Sequence, residues 1–264
     1  MTIIANKNIW ITGASSGIGE ALAVACAKEG AYPILTARNA EKLQSIQAEC
    51  LKHTDKCWVF PSDLSHLEQI DPLYYNVLNE CGQIHLLVNN AGRSQRSFAI
   101  DTPYNNDFEI MQLNFLSVIK LSKLVLKHMQ EKKEGHITVV GSITGKFGFP
   151  MRTAYAASKH ALQGYFQSLQ CEMTNEPIQV TIVHPGRIQT NISKNALTES
   201  GKAYNKMDDG QASGMSADLC AKKMIQAIRK NKKEVLVGGN ETLMVRIHQF
   251  LPWLYHKIAP NIKN

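Results

Sequence analysis

The chain has 264 residues, 44% of them hydrophobic and 19% charged, which suits one generous α/β domain and excludes a disordered or fibrous protein. Its 29 Lys and Arg against 22 Asp and Glu give a net charge of +7, a sign that raises nucleic acid or an anionic membrane as partners. The cations are spread out, however, and an anionic cofactor accounts for the sign equally well, so we expect no nucleic-acid function.

Short apolar runs alternate with longer helical patterns from end to end. The first run, 8–12, leads into Thr12-Gly-Ala-Ser-Ser-Gly-Ile-Gly19 and a helix over 17–29. Glycines at 13, 17 and 19 let the backbone turn tightly and approach a pyrophosphate at a positively polarised helix start. Placement between the first strand and a helix favours a dinucleotide turn over a plain glycine turn. The second run, 32–36, ends at Ala37-Arg38-Asn39 before a helix over 39–53. An acid at that strand end would bind the ribose hydroxyl of NAD and repel the extra phosphate of NADP. Neutral Ala37 followed by Arg38, whose guanidinium can grip a phosphate bidentately, selects NADP; the competing reading is a solvated loop cation. The third run, 57–60, precedes Ser62-Asp63-Leu64-Ser65 and a helix over 65–81, which Asp63 is placed to cap. The fourth, 84–88, precedes Asn89-Asn90-Ala91-Gly92.

A helix over 107–131 carries Asn114 as a polar interruption of its apolar stripe. The fifth run, 136–140, ends just before Ser142, at the strand carboxyl end where open α/β sheets place ligands. Its hydroxyl is a candidate to polarise a substrate oxygen. A helix over 153–175 has no proline between Ala154 and Met173, and it puts Tyr155 and Lys159 one turn apart on one face. An ammonium favours the phenolate; bringing a tyrosine pKa from about 10 to about 7 takes roughly 4 kcal/mol, which a cationic cofactor would help to supply. The sixth run, 179–183, is followed by His184, read as a packing residue and not a base, then by Pro185-Gly-Arg-Ile-Gln-Thr190. Residues 186–215 lack periodicity and read as a lid or substrate loop. A helix over 216–231 and a run over 234–237 follow. The pattern predicts one α/β domain over 1–264: a Rossmann-type doubly wound parallel sheet of about seven strands, helices on both faces. The tail, 241–264, mixes apolar, aromatic and basic residues; we expect it over the pocket or against another subunit, with a membrane interface as the alternative. Pro252 breaks it as one helix.

The glycine turn, Asn89-Asn90-Ala91-Gly92, Ser142, Tyr155-x-x-x-Lys159 and Pro185-Gly186 with Thr190 occur in the order and spacing of the short-chain dehydrogenase/reductase family, which the chain resembles over residues 5–240. The resemblance implies an NADP(H)-dependent oxidoreductase interconverting a carbonyl and an alcohol. Asn114, Ser142, Tyr155 and Lys159 would be the catalytic set. Tyr155 is then the general acid or base, Ser142 the clamp that with Tyr155 contacts substrate, and Lys159 a ligand of the nicotinamide ribose. Asn114 would kink its helix and hold a water. Cofactor contacts fall on Gly13, Ser15, Ser16, Gly17, Ile18 and Gly19; on Arg38, Asn39, Asp63 and Leu64; on Asn90, Ala91 and Gly92; and on Tyr155, Lys159, Pro185, Gly186, Ile188 and Thr190. Asp63 would take the adenine amino group, and Ile188 and Thr190 the carboxamide. Asn89 would hold neighbouring strands together. Where many NADP-using relatives carry a basic residue in the first glycine loop, this chain has Ser15 and Ser16. The segment 207–215 and the tail are similar to the member 7 branch of the family, linked to hydrophobic carbonyl or alcohol substrates. By analogy a homodimer or homotetramer is expected. The alternative is a non-catalytic NADP(H)-binding redox sensor, which would have no need of Tyr155.

Substrate contacts are expected from Arg93, Ser94, Thr144, 147–152 and 191–213, with Phe147, Phe149 and Met151 making an apolar pocket and Arg93 and Arg152 allowing an anion. The six cysteines show neither Cys-x-x-Cys nor zinc spacing, so no metal is expected and buried or half-buried free thiols are. A strand starting by about Asn8 leaves no room for a signal peptide, and no apolar stretch is long enough to span a bilayer; we expect a soluble, cytoplasmic protein.

Overall fold

The computed structural model describes residues 1–262. Seven parallel strands, β1 (Asn8–Thr12), β2 (Tyr32–Ala37), β3 (Trp58–Pro61), β4 (Leu86–Asn89), β5 (Gly135–Val140), β6 (Ile178–Pro185) and β7 (Glu234–Val237), form one sheet in the order β3-β2-β1-β4-β5-β6-β7. This is the doubly wound sheet that the alternation implies. The order reverses direction between β1 and β4, which opens a crevice at their carboxyl ends.

The helices are α1 (Gly17–Lys28), α2 (Ala40–Cys50), α3 (Ile70–Cys81), α4 (Tyr104–Met111), α5 (Ser117–Lys132), α6 (Thr153–Glu172), α7 (Asp209–Ala212), α8 (Ala217–Arg229), α9 (Leu243–Phe250) and α10 (Pro252–Ile258). Side chains alternate across the sheet even where both faces are buried. Ile9, Ile11 and Leu35 pack with Leu22, Cys26 and Met224 of α1 and α8 on one side. Trp10 and Ile34 pack with Val77, Leu121 and Phe166 of α3, α5 and α6 on the other. Each such fully buried side chain is worth about 1.5–3 kcal/mol relative to exposure, which explains why the strands read as continuous apolar runs.

Differences from the expected elements are local. The helix expected over 65–81 begins as a short 3-10 turn, Leu67–Gln69, before α3. The one expected over 107–131 is two α-helices joined by a π-helical turn, Gln112–Leu116, with Asn114 at its centre. Residues 186–215 hold only α7 and isolated bridges, Gln95 to Leu197 and Ile188 to Met215 among them. Five of the thiols are buried or half-buried, but Cys171 is exposed, contrary to expectation. The tail is broken where Pro252 starts α10, as its fixed φ requires. Tyr255 and Ala259 of that tail pack with Ile143 and Phe147, beside the site described next.

Candidate active site

Two cavities share a wall of Ile18, Asn90, Gly92, Thr190 and Ile192 and so form one groove over the crevice. The smaller, about 320 Å³, is lined by Gly13, Ser15, Ser16, Gly17, Arg38, Asn39, Asp63, Leu64 and Ala91. The larger, about 520 Å³, is lined by Ser142, Tyr155, Lys159, Pro185, Gly186 and Ile188. Every residue expected to touch a dinucleotide therefore borders the groove, except Gly19. A Cβ on Gly19 would lie 2.3 Å from the Gly13 carbonyl oxygen, so this glycine lets α1 start hard against the turn and does not face the groove. Gly13 and Gly17 adopt φ of 65° and 58°, which side chains rarely tolerate. At Gly17 a Cβ would come within 2.8 Å of Thr190. A cradle that narrow, at the amino end of a helix, fits a pyrophosphate.

Thr12 ties the two switch-point strands together: its hydroxyl accepts from the Asn90 and Ala91 backbone N–H groups at 3.0 and 3.1 Å. Asn90 Nδ2 donates back to the Thr12 carbonyl at 3.0 Å. Asn89, expected between strands, instead donates to Ser122 Oγ at 2.9 Å and pins β4 to α5. Arg38 is open to solvent and lies 3.9 Å from Asp63. Asp63 does not cap α3; it accepts from the Ser65 N–H and hydroxyl at 3.0 and 2.7 Å. Burial would raise its pKa, but those bonds and Arg38 carry it below the usual value. Asn39 caps α2 through the Lys42 N–H at 2.8 Å, and Lys42 lines the same cavity. Arg93 was expected at the substrate. It lines the smaller cavity instead, with Glu109 3.7 Å away, so Arg38, Lys42 and Arg93 gather around one end of the groove. The backbone bonds that Arg93 makes to Asn114 turn it there.

Asn114 is fully buried and lines neither cavity. Its Oδ1 accepts from the Arg93 N–H at 2.8 Å, while Nδ2 donates to the Arg93 carbonyl at 2.9 Å and to Ser158 Oγ at 3.0 Å. The π turn is thus locked to the segment after β4 and to α6. A Cβ on Gly92 would be 3.2 Å from Asn114 Oδ1 and 3.6 Å from Lys159 Nζ, so both side chains approach the backbone closely at this glycine.

Ser142, Tyr155 and Lys159 do converge on the larger cavity. Lys159 Nζ donates to the Val140 carbonyl at 2.8 Å, and burial lowers its pKa to about 8. It lies 5.8 Å from the centroid of the Tyr155 ring. Burial raises the Tyr155 pKa; the Ser142 hydroxyl, then Arg96 and Arg152, then the Thr144 hydroxyl act to lower it. The ammonium near the ring is thus joined by the charges of two arginines, Arg96 and Arg152. Both are buried and converge on Asp208, Arg152 at 3.3 Å and Arg96 through two nitrogens. They anchor the loop 191–213 beside the site, a role invisible in sequence because the three residues are distant along the chain. Ser94, Thr144, Phe147, Phe149 and Arg152 line the cavity as expected, whereas Met151 does not; at φ 65° it turns the chain into α6.

Behind Ser142 lies an arrangement that the sequence does not disclose. His184 is fully buried, with Nδ1 3.0 Å from the Ser142 carbonyl oxygen and Nε2 3.0 Å from Glu234 Oε1. The second contact is one of proximity, since Nε2 has no hydrogen-bond partner of good geometry among the described residues. Glu234, also paired with Lys146, is held at about 2, first by His184. His184 thus does more than pack, though it makes no contact that would let it act as a base.

A parallel sheet with its glycine turn, crevice and tyrosine–lysine helix defines a nicotinamide-dependent oxidoreductase. The sequence model of the short chain dehydrogenase family matches residues 7–201, and the chain belongs to the short-chain dehydrogenase/reductase family. It is similar to a "Dehydrogenase/reductase SDR family protein 7-like" of Drosophila melanogaster, 38% identical over 98% of this chain and 82% of that one. Human "Dehydrogenase/reductase SDR family member 7" is 36% identical over 95% and 77%. A short-chain dehydrogenase from Burkholderia phymatum, solved in complex with NAD, shares the fold at a TM-score of 0.86, with 23% identity and 96% of each chain covered. One from Streptomyces avermitilis superposes at 0.82, with 26% identity over 98% of this chain and 96% of that one.

Proposed function

We propose that this chain uses NADP(H) to interconvert a carbonyl and a secondary alcohol, with Tyr155 as general acid in reduction and base in oxidation. The observation that carries the reading is the meeting of Ser142, Tyr155 and Lys159 at the cavity that adjoins the glycine cradle. Bound there, the cofactor supplies or accepts hydride. Gly13, Gly17 and the start of α1 would hold its pyrophosphate, and Ile188 and Thr190 would border its nicotinamide end. Ser142 and Tyr155 offer two hydroxyls to one substrate oxygen, and Tyr155 gives or takes the proton there. Lys159, already lowered to about 8 by burial, would hold the ribose hydroxyls.

Support for NADP over NAD is Arg38, joined by Lys42 and Arg93, at the end of the groove where no acid follows β2. The pairing of Arg38 with Asp63 at 3.9 Å leaves its exposed guanidinium able to fork a phosphate. The aromatic lining of Phe147 and Phe149 supports an apolar substrate. A cytoplasmic location and a homo-oligomer are part of the same proposal.

The test is NADPH consumption across ketones, aldehydes and sugars, with Tyr155→Phe as control. Turnover that disappears in the variant while NADPH still binds supports the mechanism. Binding with no turnover on any substrate would make the chain a sensor. Arg38→Glu is expected to weaken NADPH far more than NADH, and equal losses for the two would refute the phosphate role.

A further inference from the structure

A serine hydroxyl has one hydrogen to give and two lone pairs to fill. At Ser142 both lone pairs are met from the short 3-10 turn that it caps, Ile143–Gly145. The Thr144 N–H donates to Ser142 Oγ at 3.2 Å, and the Thr144 hydroxyl donates to it at 2.9 Å. Thr144 is buried and lines the larger cavity together with Ser142 and Tyr155. The N–H bond is an ordinary cap; the hydroxyl bond is not. Hydroxyls on the helices of this chain bond back to the carbonyl four residues earlier, as Ser117 does to Leu113 and Ser168 to Gly164. The corresponding carbonyl for Thr144, that of Val140, holds Lys159 Nζ. The turn itself is fixed. The Ser142 carbonyl accepts from the Gly145 N–H at 2.9 Å, with His184 Nδ1 3.0 Å behind it. A Cβ on Gly145 would lie 2.7 Å from the Lys159 carbonyl oxygen, so the turn sits hard against α6.

We propose that Thr144 is a positioning residue that makes Ser142 a donor only, a role that rests on the proposed meeting of Ser142 and Tyr155 at one substrate oxygen. Two neighbouring hydroxyls can satisfy each other. A serine with an open lone pair would accept the Tyr155 hydrogen, which is the one that reduction must deliver. With both lone pairs filled by Thr144, Ser142 can only give. The phenol then keeps its proton for the substrate oxygen, and Ser142 supplies the second hydrogen bond as charge builds there. In oxidation the same arrangement keeps Ser142 a donor to the alcohol oxygen, while the Tyr155 phenolate takes the hydroxyl proton. A residue with no hydroxyl at 144 would leave Ser142 with its capping bond and one lone pair open to the phenol.

Steady-state kinetics of Thr144→Val and Thr144→Ser, each in the wild-type and in a Ser142→Ala background, test this on a carbonyl that the full chain reduces with NADPH. Val keeps the shape and the backbone N–H and removes only the hydroxyl. Thr144→Val should lower kcat about tenfold with KM nearly unchanged, and Thr144→Ser should restore most of the loss. Ser142→Ala alone should cost about a hundredfold. Adding Thr144→Val to it should cost less than about twofold more, because no serine is left to orient. NADPH binding by every variant shows that the fold is kept, and Thr144→Ala carries the same comparison if the Val variant does not bind. Wild-type kcat in Thr144→Val overturns the proposal. So does a tenfold loss that persists in the Ser142→Ala background, for then the hydroxyl acts without Ser142. Either result leaves the proposed reaction standing, whereas a wild type that binds NADPH and reduces nothing overturns both.

Discussion

Replacing Lys159 by Met should make the cofactor-free protein more stable while removing its activity. Lys159 is buried and its pKa is lowered from an ordinary 10.5 to about 8 by that burial alone. A shift of about 2.5 units means that holding the charged amine inside the fold costs about 3 kcal/mol. The cost is fully present below the folded pKa of about 8, where the amine is charged in both the folded and the unfolded chain. Above that pH the folded protein sheds the proton while the unfolded chain keeps it to about 10.4, so stability rises with pH across this window. Met fills similar space without the charge and forfeits the bond from Nζ to the Val140 carbonyl, worth about 1 kcal/mol. The net gain near pH 7 is about 2 kcal/mol, or roughly 4 °C in midpoint for a chain of this size. By about pH 9.5 the wild type recovers about 2 kcal/mol and the two midpoints should coincide. Tyr155 and the buried thiols titrate in both proteins and cancel in the difference. Thermal unfolding of the pair at the two pH values is the assay. A variant less stable than wild type near pH 7, or a gap that ignores pH, would refute this account of Lys159.

Three further outcomes follow from the contacts around the site. Asn114→Ala leaves the Arg93 N–H and carbonyl without a partner and should cost about 3 kcal/mol, a fall of roughly 6 °C; a solvent-facing residue would cost under about 0.5 kcal/mol in the same melt. Asp208→Asn strips Arg96 and Arg152 of their carboxylate, and breaking such a buried cluster costs about 3 kcal/mol or more. Limited proteolysis should then cut within 191–213 faster than in wild type, and an unchanged rate would show that the cluster does not hold the loop. His184→Phe releases the Ser142 carbonyl and should lower kcat about tenfold with KM nearly unchanged, while His184→Gln restores part of the loss. Equal kcat in wild type and the Phe variant would return His184 to a packing role.

The parts of this molecule that were legible in sequence share one property: each depends on neighbours along the chain. The strands declare themselves because a parallel strand buried on both faces must be apolar throughout, and the glycine turn because only glycine reaches φ of 65° at Gly13 without strain. Tyr155 and Lys159 share a face because a helix repeats every 3.6 residues. Energetics escaped the same reading. Four residues of spacing say that a cation is close to a phenol, but not that the ammonium donates to the Val140 carbonyl, nor that the charges of two arginines also act on the phenol. Those arginines reach Tyr155 from a loop after β4 and from the turn before α6, and Asp208 reaches them from a third segment. Arg93 went to the wrong cavity for a related reason. Its side chain follows a backbone that Asn114 holds from within a π turn, and no propensity marks that turn. His184 and Glu234 look like strand residues because they are strand residues, on β6 and β7, and only the parallel pairing of those strands brings a carboxylate to the buried ring behind Ser142. Local rules therefore place the reacting groups, while the field they work in is set by charges that the sheet order assembles.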